Sequence, residues 1–283
     1  MRRPFERARL DILVGATPDR APELRRLVAS LEAHTVADFT LHVGYLAPPT
    51  VPLPDEFGAH VAVAREWPRR GVSAGYNRLA AVGRAEWMAW LNDDAEVEPG
   101  WDAAARRGLD ACPGAGIAAL PYLTPHPPAG WHVNEFPPGL PYANFGVLRR
   151  EVFARAGGFD ERVWMYGCDN ALCFRILAAG LGVLPVADAR VVHHYRDDAR
   201  RADNMQQNDA RRAGWDAAFA EWRPRIPNLI DVQRRTVGDL AGRGWRAGVA
   251  GSWVTGDGSD EYARRHGRPL DRVEQSSERA ALR

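Results

Sequence analysis

Lysine is absent from this chain of 283 residues, so all 37 basic side chains are arginines. The absence excludes Schiff-base catalysis and any phosphate-binding loop that depends on a lysine. The 36 acidic residues bring the net charge to only +1, which argues against a protein that coats nucleic acid. Positive charge at a bound phosphate must therefore come from arginine, protonated histidine or a metal ion.

Cysteines are few, and Cys112, Cys168 and Cys173 form no Cys-x-x-Cys pair. A disulfide framework and a zinc ribbon are therefore not expected, and a reducing compartment fits the chain. No apolar run approaches the ~18 residues of a membrane span. The charged start of the chain is not followed by the apolar run of a signal peptide. We therefore expect a soluble, cytoplasmic protein.

Short apolar runs alternate with amphipathic segments over the first third of the chain. Strands are predicted at residues 10–15, 40–45, 60–64 and 87–91. Helices are predicted at 22–31 and at 73–82, with Ser73 as a candidate N-cap, and Pro99 marks the start of another. This alternation is typical of an α/β fold with a mostly parallel sheet flanked by helices. In such sheets ligands bind beyond the carboxyl ends of the strands.

The fourth predicted strand runs directly into Asn92, Asp93 and Asp94. Adjacent carboxylates at a strand end are costly unless a positive charge lies between them. A divalent cation on a nucleotide diphosphate would supply that charge, because Mg²⁺ and Mn²⁺ take carboxylate and phosphate oxygens together. A solvated turn is the alternative, since Asn and Asp are common turn residues.

The pattern is less regular in the second half of the chain. Residues 121–141 are rich in proline and predict a long ordered binding loop. Helices follow at 149–156 and from Asp169 to Gly180, and short strands at 183–186 and 190–193. Residues 223–283 hold 12 arginines against 8 acidic residues, and their polar, glycine-rich composition predicts a loosely ordered tail.

Four segments, taken in order, resemble those of family 2 glycosyltransferases with the GT-A (Rossmann-like) fold. They contain the strings LDILVGATPDR, WMAWLNDDAEVEPGW, GGFDERVWMYGCDN and VADARVVHHYR. The resemblance implies an N-terminal arm at 1–8, a glycosyltransferase domain at 9–225 and an arginine-rich extension at 226–283. It implies a metal-dependent, inverting transfer of a sugar from a nucleotide-diphosphate donor to a hydroxyl acceptor. The arginine-rich composition of the extension makes it a candidate for contacts between subunits or for peripheral contact with an anionic membrane surface or polyphosphate acceptor, and a tail with no such role is the alternative.

The resemblance also implies roles for individual residues. Asp94, with Asp93 and Asn92 beside it, matches the family's metal-binding aspartate, and His193 or His194 matches the histidine that completes the site. The cofactor would be Mn²⁺ or Mg²⁺, and the imidazole favours Mn²⁺. Asp169 matches the general base that deprotonates the acceptor hydroxyl, and an N-cap role is its structural alternative.

Two further groups follow from the same match. The nucleotide and donor group is Thr17, Arg69, Arg70, Asn77, Arg78, Asn92 and Asp93. The acceptor and sugar group is Trp131, His132, Asn144, Trp164, Tyr166 and Gly167.

The chain departs from the family pattern at two places. The family usually carries an acidic residue after its second strand, where it reads the base, but Val43, Gly44 and Tyr45 include none. The acidic motif around Asp169 is reduced, with Cys168 and Ala171 in place of acids. A non-catalytic nucleotide-sugar or carbohydrate-binding protein on the same fold is therefore an alternative. A sugar nucleotidyltransferase is disfavoured, because the opening loop GATPDRAPE lacks the lysine that such enzymes normally use.

Overall fold

The computed structural model describes residues 9–54, 57–66, 68–124, 130–195, 199–248 and 251–255. The N-terminal arm at 1–8 and the end of the extension at 256–283 lie outside these residues. Within the described ranges the chain forms thirteen strands in two sheets, together with eight α-helices. The fold class is therefore mixed α/β.

The strands are β1 (Arg9–Ala16), β2 (Asp38–Tyr45), β3 (Val61–Arg65), β4 (Trp87–Asn92), β5 (Ala95–Val97), β6 (Ala115–Ala119), β7 (Tyr122–Leu123), β8 (Trp131–Asn134), β9 (Gly146–Arg149), β10 (Gly182–Pro185), β11 (Val191–His193), β12 (Arg246–Ala247) and β13 (Ser252–Thr255). The helices are α1 (Ala21–His34), α2 (Val72–Val82), α3 (Trp101–Ala111), α4 (Arg150–Ala156), α5 (Cys168–Ala178), α6 (Ala199–Ala210), α7 (Arg212–Trp222) and α8 (Ile226–Thr236).

The larger sheet has the order β10-β6-β9-β4-β1-β2-β3. β9 is antiparallel to both of its neighbours, and the other pairings are parallel. The chain moves outward from β1 through β2 to β3 and then returns to the other side of β1 as β4. A crevice opens at such a reversal, beyond the carboxyl ends of β1 and β4. The predicted mostly parallel sheet is therefore present.

Both faces of the larger sheet are buried, because alternate residues of its strands enter two separate cores. In β1, Ile12 and Val14 face the core that includes α1 and α3, whereas Leu13 faces the core that includes α2, α5 and α8. In β4, Trp87 and Leu91 lie on the first side, while neighbouring residues of the strand lie on the second. Helices on both faces explain why these strands read as nearly continuous apolar runs.

The smaller sheet has the order β12-β13-β8-β7-β11-β5 and was not predicted. The segment 121–141, predicted to be a loop, contributes β7 and β8 to it, while its residues 125–129 lie outside the described part. The prolines hid these strands, because each strand is shorter than the window in which period-2 alternation is visible. The sheet matters because β11 and β5 meet next to Asp94.

The start of the extension is ordered by packing against the rest of the chain, which differs from the predicted loose tail. Gln233 of α8 donates from Nε2 to the carbonyl of Val183 and accepts at Oε1 from its N–H, both at 2.8 Å. Trp245 is buried, and β13 pairs with β8. None of the described helices has both the length and the apolar character required to span a bilayer.

Candidate active site

The turn between β4 and β5 holds Asp93 and Asp94 at the carboxyl edge of the larger sheet. β5 pairs antiparallel with β11 so that Ala95 lies opposite His193. The N–H of His194 donates to the carbonyl of Asp94 at 2.9 Å. These bonds bring Nε2 of His193 to 3.2 Å from Oδ1 of Asp94. A carboxylate and an imidazole that are remote in sequence therefore meet at one point.

The two histidines of the pair point to different partners. Nε2 of His194 lies 2.8 Å from Oε2 of Glu96, whereas His193 faces Asp94. Successive residues of a strand project to opposite faces, so only one histidine of an adjacent pair can face the crevice. The structure thus brings His193 to Asp94 and places His194 elsewhere.

The imidazole of His193 is held among aromatic rings. The ring centroids of Phe145, Tyr195 and Tyr122 lie 5.3, 5.9 and 6.0 Å from it, each in an edge-to-face arrangement. Nδ2 of Asn92 lies 3.4 Å from its Nε2. Packing on this scale restricts rotation of the ring, so the imidazole nitrogen stays directed toward Asp94.

The carboxylate of Asp94 is kept ionised. Burial opposes ionisation, but the charge and hydrogen bond of His193 and the charge of Arg20 outweigh it and lower the pKa of Asp94 to about 2. Arg20 follows β1 and is buried near this site, yet the sequence offered no motif that singled it out. Arg20 is thus a basic residue near the site that was not predicted from the sequence.

Asp94 and His193 fit a divalent cation that takes its remaining ligands from a bound phosphate and water. They offer a carboxylate oxygen and an imidazole nitrogen on the same side of the crevice, a donor set suited to Mn²⁺. No three His, Cys, Asp or Glu side chains form a complete metal cage within the described ranges. The pair therefore resembles half of a site, which substrate oxygens would complete.

Asp169 lies in the first turn of α5, whose N-cap is Gly167. Its Oδ1 accepts the N–H of Asn170, and its Oδ2 accepts Nδ2 of Asn144, both at 3.0 Å. Burial raises the pKa of Asp169 to about 6 even though the hydrogen bond from the backbone of Asn170 lowers it. The residue is not the N-cap, and a carboxyl group with this pKa is suited to accept a proton near neutral pH.

A chain of polar contacts supports Asp169 from behind. Nδ2 of Asn134 donates to the hydroxyl of Tyr122 at 2.7 Å and lies 3.4 Å from Oδ1 of Asn144. Nε1 of Trp90 donates to the carbonyl of Asn144 at 3.1 Å. Asn134 was not predicted, because its strand β8 lay inside the segment read as a loop. These contacts fix the amide that holds the carboxylate of Asp169.

Side-chain contacts link Asp169 to the β4–β5 turn, because Tyr122 contacts His193 and is joined through Asn134 and Asn144 to the carboxylate of Asp169. Burial raises the pKa of the Tyr76 hydroxyl well above its usual value, and Cys168, Asp93, Asp169 and Asp94 raise it further. The carboxylates at the end of β4 and at the start of α5 therefore act on the same hydroxyl, which donates to the carbonyl of Leu91 at 3.1 Å.

Helix α6 lies against the segment that carries Tyr166 and Trp164. The guanidinium carbons of Arg69 and Arg211 lie 4.5 and 4.6 Å from the ring centroid of Trp164. Nη2 of Arg69 donates to Oδ1 of Asn204 at 2.6 Å. In the same region the N–H of Tyr166 donates to Oδ1 of Asn208 at 3.1 Å. Arg69 thus joins the loop after β3 to α6.

Several predicted site residues have structural partners. Trp131 and His132 are almost fully buried, and burial lowers the pKa of His132 to about 4. Asn77 donates to the carbonyl of Phe159 at 3.0 Å and accepts its N–H at 2.9 Å, so its amide holds the loop before α5. The amide of Asn77 is therefore engaged within the fold, whereas the ring of His132 lies 4.2 Å from that of Tyr122, which also contacts His193.

The remaining predicted donor residues lie along the carboxyl edge of the larger sheet. The hydroxyl of Thr17 donates to Oδ1 of Asp19 at 2.6 Å. Nη1 of Arg78 donates to Oε2 of Glu66 at 2.8 Å, and Arg70 is exposed nearby. Glu66 was not singled out in the sequence, although it follows the third predicted strand by two residues.

The chain resembles known proteins in part of its sequence and in its fold. No family model matches the chain. A segment of 78 residues, 28% of the chain, is 42% identical to the O-antigen biosynthesis protein RfbC of Myxococcus xanthus, and the match spans only 6% of that protein.

Two solved structures share the overall fold. The mannosyltransferase PcManGT from Pyrobaculum calidifontis, in complex with GDP-Man and Mn²⁺, aligns over 81% of this chain and 70% of its own, with 16% identity and a TM-score of 0.57. TarS of S. aureus aligns over 71% of this chain and 39% of its own, with 11% identity and a TM-score of 0.51. At these identities the likeness establishes the fold alone.

Proposed function

We propose that this chain is a metal-dependent, inverting glycosyltransferase of family 2 with the GT-A fold, which moves a sugar from a nucleotide diphosphate to a hydroxyl acceptor. The observation that carries the proposal is the Asp94–His193 pair, which side-chain contacts through Tyr122, Asn134 and Asn144 link to the carboxyl group of Asp169. The fold shared with two glycosyltransferases and the segment similar to RfbC support it. We also propose that the protein acts in the cytoplasm.

Asp169 is the general base of the proposed reaction. Its carboxylate takes the proton of the acceptor hydroxyl while the acceptor oxygen bonds to the anomeric carbon. The bond between that carbon and the diphosphate oxygen breaks, and the diphosphate leaves with the electron pair. Attack opposite the leaving group inverts the anomeric centre. Asn144 holds the carboxylate during this transfer, since its amide already donates to Oδ2.

Asp94 and His193 would hold the divalent cation, with Asp93 and Asn92 beside them. When bound, the ion neutralises charge on the leaving diphosphate. The chain has no lysine to do this, and Arg20 is the buried cation that acts on Asp94. These residues therefore bind and orient the diphosphate, while Thr17, Arg69, Arg70 and Arg78 are proposed for the rest of the donor. Trp164, Tyr166 and Gly167 are proposed for the acceptor side.

The proposal is tested by a thermal-shift panel of nucleoside diphosphates and nucleotide sugars with and without Mn²⁺, followed by transfer and donor-hydrolysis assays. A ligand at one hundred times its Kd stabilises the fold by about 2.7 kcal/mol. For a chain of this size that corresponds to a rise in Tm of several degrees. No shift with any nucleotide would contradict the proposal. A shift with no turnover of any donor would favour the non-catalytic binding protein instead.

A further inference from the structure

The carboxylate of Glu66, the residue after β3, occupies the space beside the end of β2, where Val43, Gly44 and Tyr45 supply no acid. A Cβ added to Gly44 would lie 3.0 Å from Cγ of Glu66 and 3.5 Å from Cδ1 of Leu79. The N–H of Glu66 donates to the carbonyl of Tyr45 at 2.9 Å. The missing side chain at Gly44 therefore makes room for Glu66, and the neighbouring strand delivers a negative charge to this edge.

The Glu66 carboxylate is held at one oxygen. Nη1 of Arg78 donates to Oε2 at 2.8 Å, and the side chain of Glu66 is 10% exposed while that of Arg78 is 46% exposed. Oε1 accepts no hydrogen bond from the part of the chain that the structure describes. Burial raises the pKa of Glu66, while Arg78 and Arg70 act in the opposite direction. Oε1 can therefore accept a hydrogen bond from a donor that a ligand brings.

The end of β3, next to Glu66, is tied to the loop that follows β2. Arg65, the last residue of β3, donates from Nη1 to the carbonyls of Ala47 and Pro48 at 3.0 and 2.6 Å, and from Nη2 to that of Val51 at 2.8 Å. Three bonds from one guanidinium fix the loop that follows β2. Glu66 therefore follows a strand end that is fixed to the loop after β2.

The location suits the base of a nucleotide whose diphosphate lies at Asp94. β3 is three strands away from β4 in the sheet order, which is about 14 Å at ~4.8 Å per strand. The ends of β1 and β2 lie between the two positions, with Thr17 and Gly44. A nucleoside diphosphate with its phosphates at Asp94 would therefore extend along this edge toward Glu66.

We propose that Glu66 selects the base of the donor nucleotide, with Oε1 accepting the imino N–H of guanine or uracil. The inference rests on the proposed function. Adenine and cytosine carry a ring-nitrogen acceptor at the corresponding edge, and that lone pair repels a carboxylate oxygen. Glu66 therefore favours guanine and uracil nucleotides and disfavours adenine and cytosine nucleotides. Arg78 keeps the carboxylate ionised and in place.

The experiment measures the Kd of GDP, UDP, ADP and CDP, each with Mn²⁺, by isothermal titration calorimetry for the wild-type chain and Glu66→Gln. We expect GDP or UDP to bind the wild type at least tenfold more tightly than ADP and CDP do. The glutamine amide can donate as well as accept, so Glu66→Gln should reduce that preference at least tenfold. Glu86→Gln is the matched control: Glu86 pairs with Arg149 before the start of β4, at the opposite edge of the sheet.

Gly44→Ala provides a second test, in case Glu66→Gln does not fold. It retains the carboxylate but displaces it, because the new methyl group would lie 3.0 Å from Cγ of Glu66. Glu66 must then shift by a few tenths of an ångström, so we expect a loss of preference that is smaller than in Glu66→Gln.

The outcomes separate the two proposals. If no nucleotide binds the wild type, the proposed function fails, and this inference fails with it. If nucleotides bind but the wild type prefers ADP or CDP, or the folded variants retain the wild-type preference, only the role of Glu66 is overturned.

Discussion

Nδ2 of Asn144 donates a hydrogen bond of 3.0 Å to Oδ2 of Asp169. The amide comes from the residues before β9 and the carboxylate from the first turn of α5, so two elements fix one side chain. A donated hydrogen bond favours the ionised carboxylate, whereas burial favours the neutral acid. Burial is the stronger effect, which raises the pKa of Asp169 to about 6 and keeps the group able both to take and to release a proton.

The first prediction concerns the proposed base. Asp169→Asn should lower kcat by about 10²–10⁴-fold, because the amide cannot accept the acceptor proton. Its stability at pH 7.5 should stay close to that of the wild type, because removal of a charge that burial disfavours offsets the loss of one hydrogen-bond acceptor. Transfer rates and urea unfolding are measured together, with the exposed Asp188→Asn as the control. Transfer at the normal rate by Asp169→Asn would contradict the assignment.

The second prediction is a pH profile. Because the pKa of Asp169 is about 6, kcat/KM should be nearly constant above pH 7 and fall about tenfold per unit below pH 6. Asn144→Leu removes the hydrogen bond that favours the ionised form, so the acidic limb should move to higher pH. An acidic limb at the same pH in both proteins would show that another group controls it.

The larger sheet could be predicted because its strands are long enough to show their pattern. β1 and β4 carry apolar runs, with α1 and α2 between the parallel strands, and the structure has these elements within three residues of the expected ends. The acidic turn after β4 could also be predicted, because Asp93 and Asp94 come directly after the apolar run of that strand. The resemblance then indicated Asp169 from the string around it, and that role stays a prediction.

The rest of the site depends on contacts between distant segments. β5 has three residues and β7 two, so neither shows a period. The choice between His193 and His194 follows from the register of β11 on β5, which the sequence does not reveal. The resemblance indicates a nucleotide-binding role for Asn77, whereas in the structure its amide is hydrogen-bonded to the backbone of Phe159. Glu66 could not be singled out from the sequence, because its position beside Gly44 depends on how the sheet packs.

The third prediction separates the two histidines. Asp94→Asn and His193→Ala should weaken binding of Mn²⁺ in the presence of a nucleoside diphosphate by at least tenfold, measured by electron paramagnetic resonance of the free ion. His194→Ala is the matched control, because Nε2 of His194 lies against Glu96. Equal losses in His193→Ala and His194→Ala would contradict the assignment of His193.

The fourth prediction concerns an ion-pair network at the amino edge of the larger sheet. Asp11 of β1 accepts from His42 at 3.0 Å and from the N–H of Ala85 at 2.7 Å, and it pairs with Arg150. Asp11→Asn should reduce the free energy of unfolding by about 3 kcal/mol, because it leaves buried donors and a cation without their acceptor. Urea unfolding tests this, with the exposed Asp110→Asn as the control.

The same network has a defined pH dependence. Burial raises the pKa of Asp11, but the hydrogen bonds and charges of its partners outweigh it, so the folded pKa lies below the ordinary value of 3.8. The stability it contributes is therefore complete above pH 3.8 and is lost as the pH falls through the folded pKa. The difference in unfolding free energy between the wild type and Asp11→Asn should shrink below pH 4. A constant difference down to pH 2.5 would contradict this account.

The fifth prediction uses two glycines to separate backbone strain from crowding next to Asp169. Gly167 and Gly180 have φ of +90° and +83°, so Ala at either position costs about 1–2 kcal/mol. A Cβ at Gly180 would meet nothing within 4 Å, whereas one at Gly167 would lie 2.7 Å from the ring of Trp215.

Gly167→Ala should therefore destabilise the fold more than Gly180→Ala in urea unfolding. It should also lower kcat, because Gly167 is the N-cap of the helix that carries Asp169. Gly180→Ala should leave kcat within about twofold of the wild type. Equal losses of stability and of activity in the two variants would contradict this account. Backbone strain alone would then explain why glycine is needed at position 167.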